Sequence, residues 1–132
     1  MSSLAVAFYN ADSDIIEPNT IVVFGGERDV QVSSISHDPR VAGISIDPTI
    51  DAELTLTNFG SNACSVFAVT GLVDCAVQGP IAKGECVVTS DLRGIGQALD
   101  VKKYIPGCVL GKTLDAIEDA SVQIIRVAVG IN

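Results

Sequence analysis

The tripeptide Ser36-His37-Asp38 sets the chain's single histidine between a hydroxyl and a carboxylate, the three groups of a nucleophilic relay. A relay needs the imidazole to reach both neighbours. On an extended chain successive side chains alternate sides, so Ser36 and Asp38 are expected to face away from the ring. Asp38 also precedes Pro39, which biases it towards an extended or turn conformation. Aspartate at such a place hydrogen-bonds its own backbone two residues on. The expectation is an Asx turn, and His37→Ala is expected to leave structure and association nearly unchanged.

Other residue types with chemical potential are scattered rather than convergent. Asp12 with Asp14 and Asp51 with Glu53 are spaced to share a strand face, where two carboxylates can hold a cation or exchange protons. Glu118 and Asp119 are adjacent. No histidine, cysteine or further carboxylate joins any of these pairs, so no metal site is assigned. Arg93-Gly94-Ile95-Gly96-Gln97 lacks the third glycine and the strand–helix unit of a phosphate loop, and Gly111-Lys112-Thr113 lacks the upstream glycine. Cys64, Cys75, Cys86 and Cys108 form no CxxC pair and sit among apolar or β-branched neighbours. They read as small buried hydrophobes, with a disulfide as the alternative. Tyr104, after Lys102-Lys103, is the aromatic residue plainly borne by a loop. The residues thus predict a non-enzymatic protein with no cofactor.

Composition narrows the class further. Of the 132 residues 48% are apolar and 18% charged, as in a globule with one hydrophobic core. No apolar run approaches the roughly 20 residues of a membrane span. The start, MSSLAVAFYNADSD, has no basic region of the kind a signal peptide carries. Net charge is −8, with nine acidic and two basic side chains in residues 1–60 against seven and six in 61–132. Such a surface repels phosphate backbones, which argues against nucleic-acid binding. The expectation is assembly in a cytoplasm, without membrane insertion.

The elements that must carry these residues read as strands from end to end. Runs rich in Val, Ile and Thr fall at Leu4–Tyr9, Thr20–Phe24, Asp29–Ser33, Val41–Ile46, Ala63–Thr70, Leu72–Val77, Cys86–Thr89, Gly96–Leu99, Cys108–Leu114 and Val122–Val129. Gly, Pro, Asn and Asp close them at spacings of about ten residues, as in a sandwich or barrel. Pro48–Leu54 and Thr113–Ala120 have room for a helical turn. The fold class is therefore all-β: a compact sandwich or small barrel of short strands, with at most one or two short helical turns. Residues 1–132 form a single β domain, of which 1–14 are an N-terminal arm or edge strand. No tandem repeat is read. Val41-Ala42-Gly43-Ile44 and Val109-Leu110-Gly111-Lys112 do share an apolar–apolar–Gly pattern, and a glycine inside a strand marks a bulge or a close backbone approach.

The last strand, VQIIRVAV, is largely apolar on both faces: Val122, Ile124, Arg126 and Ala128 on one, Gln123, Ile125, Val127 and Val129 on the other. With few aromatic residues to enlarge the core, this predicts a subunit interface through Ile124, Ile125, Val127 and Val129, and hence a homo-oligomer. Ile124→Asp or Val127→Asp is expected to prevent assembly or folding.

Five stretches carry a family resemblance: ADSDIIEPNTIVVFGG (11–26), SHDPRVAGISIDP (36–48), VTGLVDCAVQGPIAKGECVVTSD (69–91), IPGCVLGKTLD (105–115) and IIRVAVG (124–130). In order and spacing the chain resembles the C-terminal structural domain of tail-fibre and virion proteins of tailed phages, particularly those of cyanobacterial viruses. Leu72 and Asp74 stand where Arg and Pro are common. The resemblance implies a β-rich virion module, a trimer being the favoured oligomer, with other virion proteins as partners. It acts as a fibre tip, a decoration or an assembly domain. A host-surface glycan-binding module is the alternative. A third is an autoprocessing chaperone domain with Ser33, Ser34 or Ser36 as nucleophile and Asp38 as its partner, although no self-cleavage motif matches any position.

Overall fold

The computed structural model of the chain describes residues 3–9, 16–26, 29–46, 54–55 and 64–130. Its β-branched runs are extended, because their side chains lose little freedom on a pleated surface. They form ten strands: β1 (Ser3–Tyr9), β2 (Ile21–Phe24), β3 (Val30–Val32), β4 (Val41–Ser45), β5 (Leu54–Thr55), β6 (Cys64–Gln78), β7 (Cys86–Thr89), β8 (Gly96–Ala98), β9 (Val109–Thr113) and β10 (Val122–Val129). The one helical turn among the described residues is a 3-10 turn at Val101–Lys103, where the Asp100 carboxylate accepts the Lys102 N–H at 3.0 Å. Thr113–Ala120 holds no helical turn. The Thr113 hydroxyl takes the Asp115 N–H at 3.1 Å, and Ile117 bridges to Ile81, so this backbone is tied outward rather than along a helix.

Strands β10, β9, β7, β8 and β6 are bonded in that order, and β10 pairs again with β6, closing a five-stranded barrel. Every neighbour in the ring is antiparallel except β6 and β8. Closure removes sheet edges. From the same β6 the sheet continues through β4 and β2 to β3, with β1 on β6 and β5 on β1. The chain is all-β, a small closed barrel with extra strands.

Strand β6 is where sequence punctuation and structure differ. Gly71 reads as a break, yet the chain passes through it as one strand at φ +117. Opposite it the register slips between Leu4 and Ala5, leaving Val69 as the extra residue of a bulge. The bulge changes parity: Ala68 is buried before it, and Val73, Cys75 and Val77 after it. One long strand thereby serves two sheets.

Those two sheets are one unit made twice. Val22 pairs with Val32 on one side and Gly43 on the other; Val87 pairs with Ala98 and Gly111 in the same way. Ile44 then faces Ala68 as Lys112 faces Ala128. Outside the strands, Ser33 N–H donates to Ile21 O at 3.0 Å and Leu99 N–H to Cys86 O at 3.0 Å. The first unit runs β1, β2, β3, β4 and residues 64–71 of β6. The second runs residues 72–78 of β6, then β7, β8, β9 and β10. The duplication that the sequence does not declare is one of register, not residue identity. Its visible trace is the shared apolar–apolar–Gly pattern: a Cβ on Gly43 would lie 2.4 Å from Ala68 O, and one on Gly111 2.1 Å from Ala128 O. The strand register slips beside both glycines, making Ala42 and Leu110 bulge residues. The units differ at closure. β6 meets β8 in parallel in the second, whereas β1 meets β5 in the first, and among the described residues β3 is bonded to β2 alone.

The core runs through both units. Ile21, Ile44 and Ala68 of the first pack with Val73, Val77, Val87, Leu110, Ile125, Val127 and Val129 of the second. Val22 and Val30 form a smaller cluster with Ile16 and Ala42.

Candidate functional site

Ser36-His37-Asp38 lies where the two units meet, and its geometry departs from the extended chain expected. His37 adopts φ +56, which swings its ring back so that Nδ1 lies 2.7 Å from Ser36 Oγ. Serine and histidine therefore do touch. The direction of the proton decides what the contact can do. His37 Nε2 accepts the Asp100 N–H at 3.0 Å, so that nitrogen is the unprotonated one. Nδ1 then carries the hydrogen and donates it to Ser36 Oγ, which also accepts from Gln97 Nε2 at 2.9 Å. A ring that gives its proton to the hydroxyl does not activate it. Asp38 stands apart from the imidazole: its carboxylate accepts the Arg40 N–H at 2.9 Å, the expected Asx turn, and the Arg40 guanidinium in a fork at 3.1 and 2.9 Å.

The arrangement is a clamp between loops. Thr89 Oγ1 accepts the Asp38 N–H at 2.8 Å and donates to Ile35 O at 2.7 Å, while His37 N–H donates to Thr89 O at 3.1 Å. His37 is 7% exposed and Asp38 3%. The neutral effect expected of His37→Ala is accordingly revised. Removing the ring leaves the Asp100 N–H and the Gln97–Ser36 contact without their shared partner, and we expect a loss of about 2 kcal/mol, seen as a lower urea midpoint at unchanged slope. A midpoint equal to wild type would show that water replaces the imidazole at no cost. Of the other serines considered, Ser33 is fully buried and its hydroxyl has no hydrogen-bond partner among the described residues.

The carboxylate pairs do not build a site. Asp12, Asp14, Asp51 and Glu53 fall outside the described residues. Asp119 turns to Ser121, whose side-chain and backbone hydrogen bonds hold its carboxyl below the ordinary range. Asp115, unremarked in the sequence, grips Arg126 across β10: its oxygens accept Arg126 N–H at 2.9 Å, Nε–H at 3.1 Å and an η nitrogen at 2.8 Å. Those hydrogen bonds, the side-chain ones first, lower the Asp115 carboxyl to about 2 from an ordinary 3.8. The Arg40 fork lowers Asp38 likewise, against the burial that would raise it. A carboxyl depressed on folding stabilises the fold above its unfolded value and loses that contribution as pH falls through the folded one. We expect Asp115→Asn to lower Tm at neutral pH, with the gap to wild type closing between about pH 4 and pH 2. A gap that persists at pH 2 would assign the loss to packing.

Cys75 and Cys108 are buried, Cys86 is half-buried, and all three are free thiols. Burial among the barrel valines pushes the Cys75 thiol up, the nearby Asp74 charge adding to it.

The four residues assigned to a subunit contact separate by face. Ile125, Val127 and Val129 are 5%, 0% and 3% exposed within the chain's own core, so this barrel accounts for their apolar character without a neighbour. Ile124 is 59% exposed beside Val122 on the outer face. Tyr104, noted as loop-borne, is exposed at the rim of an open groove of about 250 Å³ lined by Cys86, Leu99, Gly107 and Val109. The sequence does not point to this groove, because its walls come from β7, β9 and the β8–β9 loop.

The fold defines a class before any relative is named: an all-β chain in which a small closed barrel shares one long strand with a second set of strands. It is similar to the crystal structure of the bacteriophage phi29 gene product 12 C-terminal fragment, with a TM-score of 0.67 and 8% identity, over 96% of this chain and 99% of that one. At that identity the likeness is one of fold. No family model matches the chain, and no curated protein matches it. No helix among the described residues is long and apolar enough to cross a membrane.

Proposed function

We propose that this chain is a non-enzymatic structural module of a phage particle, a fibre tip, decoration or trimerisation domain, assembled in the host cytoplasm and held in the virion by contacts with its own copies and with other virion proteins. The observation that carries the reading is the likeness in fold to a phage gene product over nearly the full length of both chains. The resemblance of residues 11–130 to virion domains supports it independently. So does the polar network around His37, which spends its hydrogen bonds on fastening loops instead of leaving a group poised for reaction.

The test is the protein content of purified particles, together with solution mass by light scattering under reducing conditions. The reading expects the chain in the particle and a mass near three times 13.7 kDa. A monodisperse monomer absent from particles would overturn it.

A further inference from the structure

The clamp around His37 fastens three loops together, and its bonds lie beside exposed apolar side chains. Ser36 N–H donates to Asp91 Oδ1 at 3.1 Å, which ties the β3–β4 loop to the β7–β8 turn, next to Ile35 on one and Leu92 on the other. His37 Nε2 holds the Asp100 N–H at 3.0 Å, next to Val101 of the β8–β9 loop. Ile35, Leu92 and Val101 are 55%, 42% and 78% exposed, and Tyr104 and Ile105 follow in the last loop at 56% and 44%. Five of the eight large apolar side chains exposed among the described residues thus stand on the three loops that the clamp joins. Apolar groups gathered in this way mark a contact surface.

Residues 100–107 are all exposed, yet their backbone is held by its own bonds. The Asp100 carboxylate accepts the Lys102 N–H at 3.0 Å, Lys103 N–H donates to Asp100 O at 2.9 Å, and Cys108 N–H donates to Ile105 O at 3.1 Å. The loop therefore presents its side chains in a fixed arrangement before any partner arrives, which lowers the ordering cost of contact.

Charge identifies the partner. Residues 35–40 and 91–107 carry Arg40, Arg93, Lys102 and Lys103 against Asp38, Asp91 and Asp100, four basic minus three acidic, or +1 on a chain of net charge −8. The three carboxylates are engaged, Asp38 by Arg40, Asp91 by the Ser36 N–H and Asp100 by the Lys102 N–H. Lys102 and Lys103 make no ion pair among the described residues. Lysine set between exposed apolar residues does not suit the dry centre of a protein–protein contact, where it is depleted. It suits a lipid surface, where the stem lies along apolar groups and the ammonium reaches the headgroups. A tyrosine ring sits at the same depth with its hydroxyl in water.

We propose that these three loops form a peripheral membrane contact, which lays Ile35, Leu92, Val101, Tyr104 and Ile105 into the interfacial layer of an anionic lipid bilayer. Lys102 and Lys103 bind its headgroups, and no segment needs to span it. The contact does not rest on the virion-module reading, because it follows from the loops whatever carries them.

The test is sedimentation of the full chain with vesicles of phosphatidylcholine alone and of phosphatidylcholine mixed with phosphatidylglycerol. Binding to the mixed vesicles should be stronger by roughly tenfold or more, since each lysine adds to attraction at an anionic surface, and should weaken as salt is raised. Lys102→Gln/Lys103→Gln should remove that difference, and Val101→Asp should lose binding to both. Ile124→Asp, off these loops, should bind as wild type does. Circular dichroism checks that each variant is folded. The chain has no tryptophan, so Val101→Trp places a single reporter on the loop. Its emission should shift to the blue on mixed vesicles and be quenched by brominated acyl chains. Absence of binding at low salt, equal binding to both vesicles, or a bound reporter that stays unquenched overturns the proposal. So does Val101→Asp turning a wild-type oligomer into a monomer while neither protein binds vesicles, which would assign the patch to a contact between copies. In each case a chain found in purified particles leaves the virion-module reading standing.

Discussion

Val127→Asp abolishes the folded state, and Ile124→Asp, three residues away on the same strand, leaves it intact. Val127 is fully buried and paired with Val73 on one side and Thr113 on the other, inside a closed ring of strands. Among the described residues no buried cation is placed to pair with a carboxylate there, and at 0% exposure the side chain is out of contact with solvent. Its burial costs several kcal/mol, and leaving such a charge unpaired removes about 4 kcal/mol or more, most of the roughly 5–15 kcal/mol by which a domain is stable. Protonation reduces the charge penalty but not the lost methyl packing. Ile124 sits opposite Ala76 with its side chain 59% exposed, so aspartate there meets solvent. The check is far-UV circular dichroism with urea denaturation of both proteins. A cooperative Val127→Asp transition within about 1 kcal/mol of wild type would mean that the barrel admits water or opens at β10.

The split between those neighbours shows what alternation conveys. It assigned the two faces of β10 correctly, and it placed Val122–Val129 and Cys86–Thr89 at their observed bounds. It could not say which apolar face the chain's own barrel would cover. Closure depends on β6, eight residues of which pair with β10 from far away in sequence. The same strand was read as two, because a glycine between apolar runs signals a turn and a bulge equally well. Two-residue β5 escaped notice, being too short to show a period. At His37 the failure is of another kind: nothing in Ser36-His37-Asp38 announces a left-handed histidine, and the contact with Ser36 follows from that one dihedral. The groove is harder still to foresee. Among the described residues the first unit receives the Gly94 peptide between Ile21 and Ser33, and none bridges Cys86 and Leu99 in the second, which becomes visible only when the two registers are laid side by side. The Val-Ala-Gly and Val-Leu-Gly pattern is the sequence trace of the repeated register, and both glycines lie directly beside the bulges at Ala42 and Leu110.

Gly111→Ala destabilises the protein more than Gly43→Ala, although the two glycines do the same work. Each lets a bulged strand approach its neighbour more closely than a side chain allows. An added Cβ at Gly111 meets Ala128 O at 2.1 Å and the Ala128 carbonyl carbon at 2.9 Å; at Gly43 the same atoms of Ala68 lie at 2.4 and 3.2 Å. These are backbone atoms, so no rotamer change relieves the clash and the strands must part. In the second unit parting β9 from β10 strains a ring closed by β6, and the displacement has nowhere to go. In the first, β4 and β2 lead to β3, which among the described residues is bonded to β2 alone, so the sheet can give. Overpacking of this sort costs roughly 1–3 kcal/mol; we expect Gly111→Ala at or above about 3 kcal/mol and Gly43→Ala nearer 1–2 kcal/mol. Paired urea melts decide the matter. Equal losses would mean that closure adds no stiffness, and a larger loss at Gly43 would mean that the first unit is the more rigid of the two.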